Sequence, residues 1–142
     1  MNGTVVALAD VADEAFASGA MGDGVAIEPA EGKLYAPADG VIETVFETKH
    51  AVGITTVDGV EVLLHIGIDT VKLGGKHFET HVAPDQKVKK GDLLVSFDMD
   101  AIKAAGYPLT TPMIVCNTDD YAAVTTLAAG TVRNSEDLLR VQ

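Results

Sequence analysis

A chain of 142 residues suits one domain spanning residues 1–142 and can bury roughly two thirds of the surface it exposes when unfolded. A hydrophobic fraction of 47% argues against disorder, and a formal net charge of −11 argues against nucleic acid as a partner. Trp is absent and aromatics are few, so Val, Ile, Leu and Ala must fill the core.

From the N-terminus, "MNGTVVALADVADEAF" lacks the basic start and long apolar run of a signal peptide. "DVADEAFAS" (10–18) is ambiguous between helix and loop. The dominant pattern then sets in: "GVAIEP", "GKLYAP", "GVIETVFE", "AVGITTV", "VEVLLHIGI", "LLVSFD", "PMIVCN" and "GTVR" are short β-branched runs. Turn signals separate them at Asp23-Gly24, Glu31-Gly32, Asp39-Gly40, Asp58-Gly59, Gly74-Gly75 and Gly91-Asp92. Many short strands at this spacing predict an all-β fold, an antiparallel sandwich or barrel with a few short helices. "MDAIKAAG" (99–106) reads as one helix, stopped by Gly106 with Pro108 beyond; "NTDDYAAVTTLA" (117–128) is capped for a second. The Lys cluster of "KVKKGD" reads as solvated. No run approaches the roughly 18–20 apolar residues needed to span a bilayer. The single cysteine, Cys116, allows no internal disulfide and no cysteine metal cluster; its run predicts a buried packing role.

The chemistry concentrates in "ETKHAVGITTVDGVEVLLHIGIDT" (47–70), where His50 and His65 flank an Asp-Gly turn. If Asp58-Gly59 is a two-residue turn, Val57 faces Val60, His65 faces Val52 and His50 faces Gly67. The two histidines are then diagonal neighbours on one face, with backbones roughly 7–8 Å apart. Three uses fit: a half-buried structural pair, a partial metal site, or nucleophilic catalysis. Two imidazoles are too few for a closed zinc site. In the catalytic reading one neutral imidazole attacks phosphorus and the other holds the phosphoryl oxygens. His77 and His81 read as surface residues, because Gly-Gly and Pro flank them. The GxxxxGK[ST], GxGxxG and GxSxG motifs are missing, so any phosphate handled here must arrive already activated.

Six motifs carry a resemblance: "FASGAMGDGVAIEP", "YAPADGVI", "FETKHAVGI", "VLLHIGIDTV", "VKKGDLLVSFD" and "TTPMIVCN". In this order they resemble the glucose-type enzyme IIA domain of the bacterial phosphoenolpyruvate-dependent sugar phosphotransferase system. The tail "AAGYPLTTPMIVCNTDDY" (104–121) is more similar to the IIA portion of fused β-glucoside, sucrose or trehalose permeases. The family's antiparallel β-sandwich agrees with the strand pattern.

The resemblance implies that His65 is phosphorylated through Nε2, that His50 hydrogen-bonds the phosphoryl group, that Thr48 orients a ring, and that Asp69 lies beside the site. It places Phe16, Met21, Phe46, Leu63 and Val71 on an apolar docking rim and Asp13 and Asp119 on the acidic surface around it. It implies phospho-HPr as donor and a cysteine of an enzyme IIB domain as acceptor. It also implies no cofactor and no metal, a location in the cytoplasm or at the cytoplasmic face of a fused permease, and a monomeric isolated domain. Gly53 and Leu63 stand where some relatives carry aromatics, which predicts a flatter rim. The leading segment is cut short to "GTVVAL", as expected of a domain excised from a longer chain or one lacking its first strand. A regulatory binding module on the same face, zinc-bridged through His50 and His65, is the alternative.

Overall fold

Runs of Val, Ile and Thr form the strands, because branched Cβ atoms fit a pleated, half-buried surface better than a helix. The computed structural model describes residues 3–11, 14–17, 22–117, 124–126, 131–132 and 139–141. In chain order these hold β1 (Gly3–Ala7), α1 (Glu14–Ala17), β2 (Asp23–Pro29), β3 (Lys33–Tyr35), β4 (Gly40–Val45), β5 (Ala51–Thr56), β6 (Glu61–His65), β7 (Phe78–Thr80) and β8 (Lys87–Val88). There follow β9 (Leu93–Phe97), α2 (Met99–Ala104), β10 (Thr111–Val115), β11 (Val124–Thr126), β12 (Thr131–Val132) and β13 (Leu139–Val141). Single 3-10 turns form at Leu8–Asp10 and Thr70–Leu73.

Every strand pairing among the described residues is antiparallel, as the alternating runs predict. One eight-stranded sheet has the order β12-β1-β2-β10-β6-β5-β4-β8, and a three-stranded sheet has the order β3-β9-β7. The main core lies between them: Ile42, Val52, Ile54, Val62 and Leu64 of the large sheet meet Leu34, Phe78, Val95 and Phe97 of the small one. A fully buried side chain such as Ile54 contributes about 1.5–3 kcal/mol through the apolar area it removes from water. A second apolar cluster, Val11, Phe16, Ala26, Ile68 and Ile114, gathers Leu63 from β6. Leu63 and Leu64 are consecutive and so point to opposite faces. The β5–β6 pair is therefore covered on both sides, and His65 ends it.

Helix α2 follows its signals. Asp98 caps it by accepting from the Ala101 amide at 3.1 Å, Ile102 is buried, and Gly106 past its end has φ +93°. Other expectations fail for physical reasons. Asp23-Gly24 does not turn: both residues extend inside β2, and a Cβ on Gly24 would collide with the Met113 carbonyl of β10. Within 117–128, the β-branched residues Val124–Thr126 form β11 against β13, and residues 118–123, where the rest of the expected helix falls, lie outside the described residues. Cys116 is exposed in the turn after β10, outside the strand that was expected to bury it. His77 and His81 are exposed, as predicted, and His81 Nε2 lies 2.8 Å from Ser96 Oγ.

The hairpin register also differs from the two-residue turn. Ala51 pairs with His65, Val52 with Leu64 and Gly53 with Leu63. The Thr56 amide donates to the Val60 carbonyl and the Gly59 amide to the Thr56 carbonyl, both at 2.9 Å. These bonds make a three-residue loop, Val57-Asp58-Gly59, with Gly59 alone in the left-handed region at φ +87°. The tighter turn needs positive φ at both central residues, and Asp58 does not adopt it.

Candidate active site

His65 is the last residue of β6, and the chain turns sharply after it. Its Nδ1 lies 2.7 Å from the Gly67 carbonyl oxygen. A carbonyl only accepts, so Nδ1 carries the proton and donates, and the lone pair sits on Nε2. Gly67 reaches this position with φ +77°. A Cβ there would stand 2.5 Å from Thr70 Cγ2 and 2.8 Å from the Pro108 oxygen. Asp69, exposed and in the left-handed region at φ +60°, turns the chain back so that the buried Thr70 comes under this loop.

His50 reaches the same place by another route. Strict alternation from the Ala51–His65 pair would put the two histidines on opposite faces. Residues 46–50 are not extended. The Lys49 amide donates to the Phe46 carbonyl at 2.8 Å, and Lys49 has φ +61°. This turn re-aims His50, so that its ring meets His65 with centroids 4.7 Å apart and planes at 81°. The His50 carbonyl accepts from the Ile66 amide at 2.7 Å, which ties the two loops together beneath the rings. Juxtaposed histidines were expected; the one-residue register change and the Phe46–Lys49 turn correct the path to them.

His50 is 2% exposed, and its Nδ1 lies 2.7 Å from Thr48 Oγ1. Burial, with a smaller contribution from the neighbouring His65, pushes the imidazole pKa down to about 4, and a hydrogen bond at Thr48 opposes the shift in part. His50 is therefore neutral at pH 7, with one ring N–H.

Four rings form a row. Phe46 meets His50 edge-on at 5.4 Å, His50 meets His65, and His65 meets Phe16 at 5.1 Å with a 58° tilt. Phe46 is 38% exposed and Val71 is 49% exposed. Leu63 is half-buried, and Gly53 beside it leaves the surface flat. Phe16 is 4% exposed and supports His65 from the second apolar cluster. Asp13, Met21 and Asp119 lie outside the described residues. Gly67 and Thr70 were missed in the sequence, although both stand in the "HIGIDT" run; only the loop's path gives them a task. Among the described residues no group of three His, Cys, Asp or Glu could hold a metal ion.

Residues 1–121 match the family model described as phosphoenolpyruvate-dependent sugar phosphotransferase system, EIIA 1. The chain belongs to this family. It is 52% identical over 130 residues to a β-glucoside-specific EIIBCA component of Dickeya chrysanthemi, covering 92% of this chain and 21% of that protein. It is 42% identical over 142 residues to a glucose-specific EIIA component of Bacillus cereus, covering 99% of this chain and 86% of that one. The EIIA chain thus spans about a fifth of the length of the fused relatives it matches. Its fold matches glucose permease IIA from Mycoplasma capricolum with a TM-score of 0.90 at 38% identity, over 97% of this chain and 89% of that one. The β-sandwich predicted from the strand pattern is therefore the EIIA fold. No helix among the described residues is long and apolar enough to cross a membrane.

Proposed function

We infer that this EIIA chain is a phosphocarrier, accepting a phosphoryl group from phospho-HPr on His65 Nε2 and passing it to a cysteine of an enzyme IIB domain. The observation that carries this reading is the 2.7 Å bond from His65 Nδ1 to the Gly67 carbonyl, beside a second, neutral imidazole. The bond leaves Nε2 as the nucleophile. A docking module would have no need of a fixed tautomer, so the relay is preferred to regulation alone.

In the first step the Nε2 lone pair attacks phosphorus, and the N–P bond of the donor's histidine breaks. In the second, a cysteine thiolate attacks, an S–P bond forms and the His65 N–P bond breaks, restoring the neutral ring. In this reading the Thr48 hydroxyl, 2.7 Å from His50 Nδ1, donates to it, which leaves the His50 proton on Nε2 to be donated to a phosphoryl oxygen. That donor is uncharged, so it stabilises the transferring group without trapping it as an ion pair. Asp69 shapes the loop that brings Thr70 beneath His65.

Both transfers run between donors of high phosphoryl potential, so positioning and charge stabilisation supply most of the catalysis. Phe46, Leu63 and Val71 provide apolar surface that a docked partner would cover, excluding water that would hydrolyse phosphohistidine. The net charge of −11 favours a basic face on the donor and mainly speeds encounter. The chain works in the cytoplasm as one monomeric domain, or at the cytoplasmic membrane face within a larger permease. The test is discharge: wild type loaded by phosphoenolpyruvate, enzyme I and HPr is mixed with an enzyme IIB domain of β-glucoside or glucose type. Transfer of the label to the IIB cysteine is expected; label that stays on this chain with every IIB domain tried would refute the relay.

A further inference from the structure

The geometry points to Thr70 as a positioning residue for His65: its hydroxyl locks the Ile66–Gly67 backbone so that the Gly67 carbonyl holds the Nδ1 proton. This inference rests on the phosphocarrier reading, in which the tautomer of His65 decides which nitrogen attacks.

Two successive peptide planes are held. In the first, the Ile66 carbonyl accepts from Thr70 Oγ1, and Thr70 is fully buried. In the second, the Ile68 amide donates to the Pro108 carbonyl at 3.1 Å. A trans peptide points its C=O opposite to its N–H, so fixing the Ile68 N–H against Pro108 aims the Gly67 C=O the other way, at His65 Nδ1. The first plane is the one that can swing. Gly67 has no Cβ and tolerates many φ values, so its conformation must be held from outside. Thr70 does this through Oγ1, which anchors the plane before Gly67, while Cγ2 only packs beside its Cα. The buried Ile66 and Ile68 anchor the side chains to either side. Thr70 touches neither the reacting nitrogen nor the phosphoryl group and acts only through the Gly67 carbonyl.

Replacing the hydroxyl by a methyl keeps the shape and leaves the Ile66 carbonyl without its donor. Thr70→Val should therefore loosen the first plane, weaken the hold on Nδ1 and let part of the His65 population move its proton to Nε2. Thr70→Ser keeps the hydroxyl and loses only the methyl.

The test is 15N NMR of the imidazole nitrogens in the unphosphorylated full chain, paired with single-turnover phosphorylation from phospho-HPr. Wild type should show His65 protonated on Nδ1. Thr70→Val should show averaged nitrogen shifts and a rate lower by about tenfold, the lower end of what loss of a ligand-orienting partner costs. Thr70→Ser should restore the wild-type shifts and a rate within about twofold of wild type. Wild-type shifts and rate in Thr70→Val would overturn the positioning role and leave the phosphocarrier reading intact. If Thr70→Val does not fold, Thr70→Ser decides: mixed tautomers in that variant would show that packing, not the hydroxyl, holds the loop, and would overturn the role. A wild type with the expected shifts that accepts no phosphoryl group would refute the phosphocarrier reading while the tautomer comparison still tests Thr70.

Discussion

His50 and His65 meet at 4.7 Å although the register of β5 and β6 points their positions to opposite faces. The turn at Phe46–Lys49 brings His50 round, and the bond from the Ile66 amide to the His50 carbonyl ties it to the loop that orients His65. The pair thus consists of one ring fixed by a backbone carbonyl and one fixed by a threonine hydroxyl. These different partners suit the rings to the different roles proposed for them.

His50→Gln removes the second imidazole and keeps a side chain of similar reach. The variant should still accept phosphate on His65, because the nucleophile and its carbonyl partner are untouched. Discharge to an enzyme IIB cysteine should slow by about 100-fold, the usual cost of losing one preorganised donor. Rapid-quench single turnovers separate the two steps; discharge at the wild-type rate would refute the role given to His50.

Acid should reveal His50 as well. Its folded pKa is about 4 against an ordinary 6.5, so between these values the unfolded chain binds more protons than the native one. Stability contributed by the neutral buried ring is complete above pH 6.5, is lost as pH falls toward 4, and changes no further below that. The loss amounts to at most about 3 kcal/mol. Urea titrations across this range should show the slope in wild type and a flatter profile in His50→Gln. Phosphorylation of His65 sets a dianion beside the ring and should raise the His50 pKa, which NMR titration reads directly.

Much of this site was legible, and the parts that were not share a cause. The spacing of His50 and His65 across one turn already implied a pair, and the resemblance carried by "TKHA" and "HIGIDT" added Thr48. The register was misread because Asp-Gly suits a two-residue turn and also a three-residue loop with a single left-handed glycine; the choice rests on φ at Asp58, which composition does not encode. The strands β7 and β8 escaped notice because pairs and triplets of residues show no periodicity. Gly67 and Thr70 escaped for a tertiary reason: their work depends on Asp69 adopting a left-handed backbone that brings residue 70 under residue 66.

Gly67→Ala tests that loop. The new Cβ meets Thr70 Cγ2 and the Pro108 oxygen on a backbone at φ +77°. The strained backbone and overpacking together should cost about 2–4 kcal/mol in denaturant unfolding. A loss under 0.5 kcal/mol, within the range of surface substitutions, would show that the loop relaxes freely.

Phe46→Ala tests the apolar cover. Phe46 is partly exposed and lies edge-on to His50. Its removal should wet the rings and speed spontaneous hydrolysis of phospho-His65 severalfold, with the unfolding free energy lowered by about 1–2 kcal/mol, the share of a full Phe burial that its partly covered ring retains. Loss of label with time, followed without any acceptor, measures this; an unchanged half-life would remove Phe46 from the shielding role.

The central claim is that His65 carries the phosphoryl group. The most direct measurement is intact mass after incubation with phosphoenolpyruvate, enzyme I and HPr, before and after acid treatment, on wild type and His65→Gln. One acid-labile phosphoryl group is expected on wild type and none on the variant. No gain in wild type beside demonstrably charged HPr, or an equal gain in His65→Gln, would contradict it.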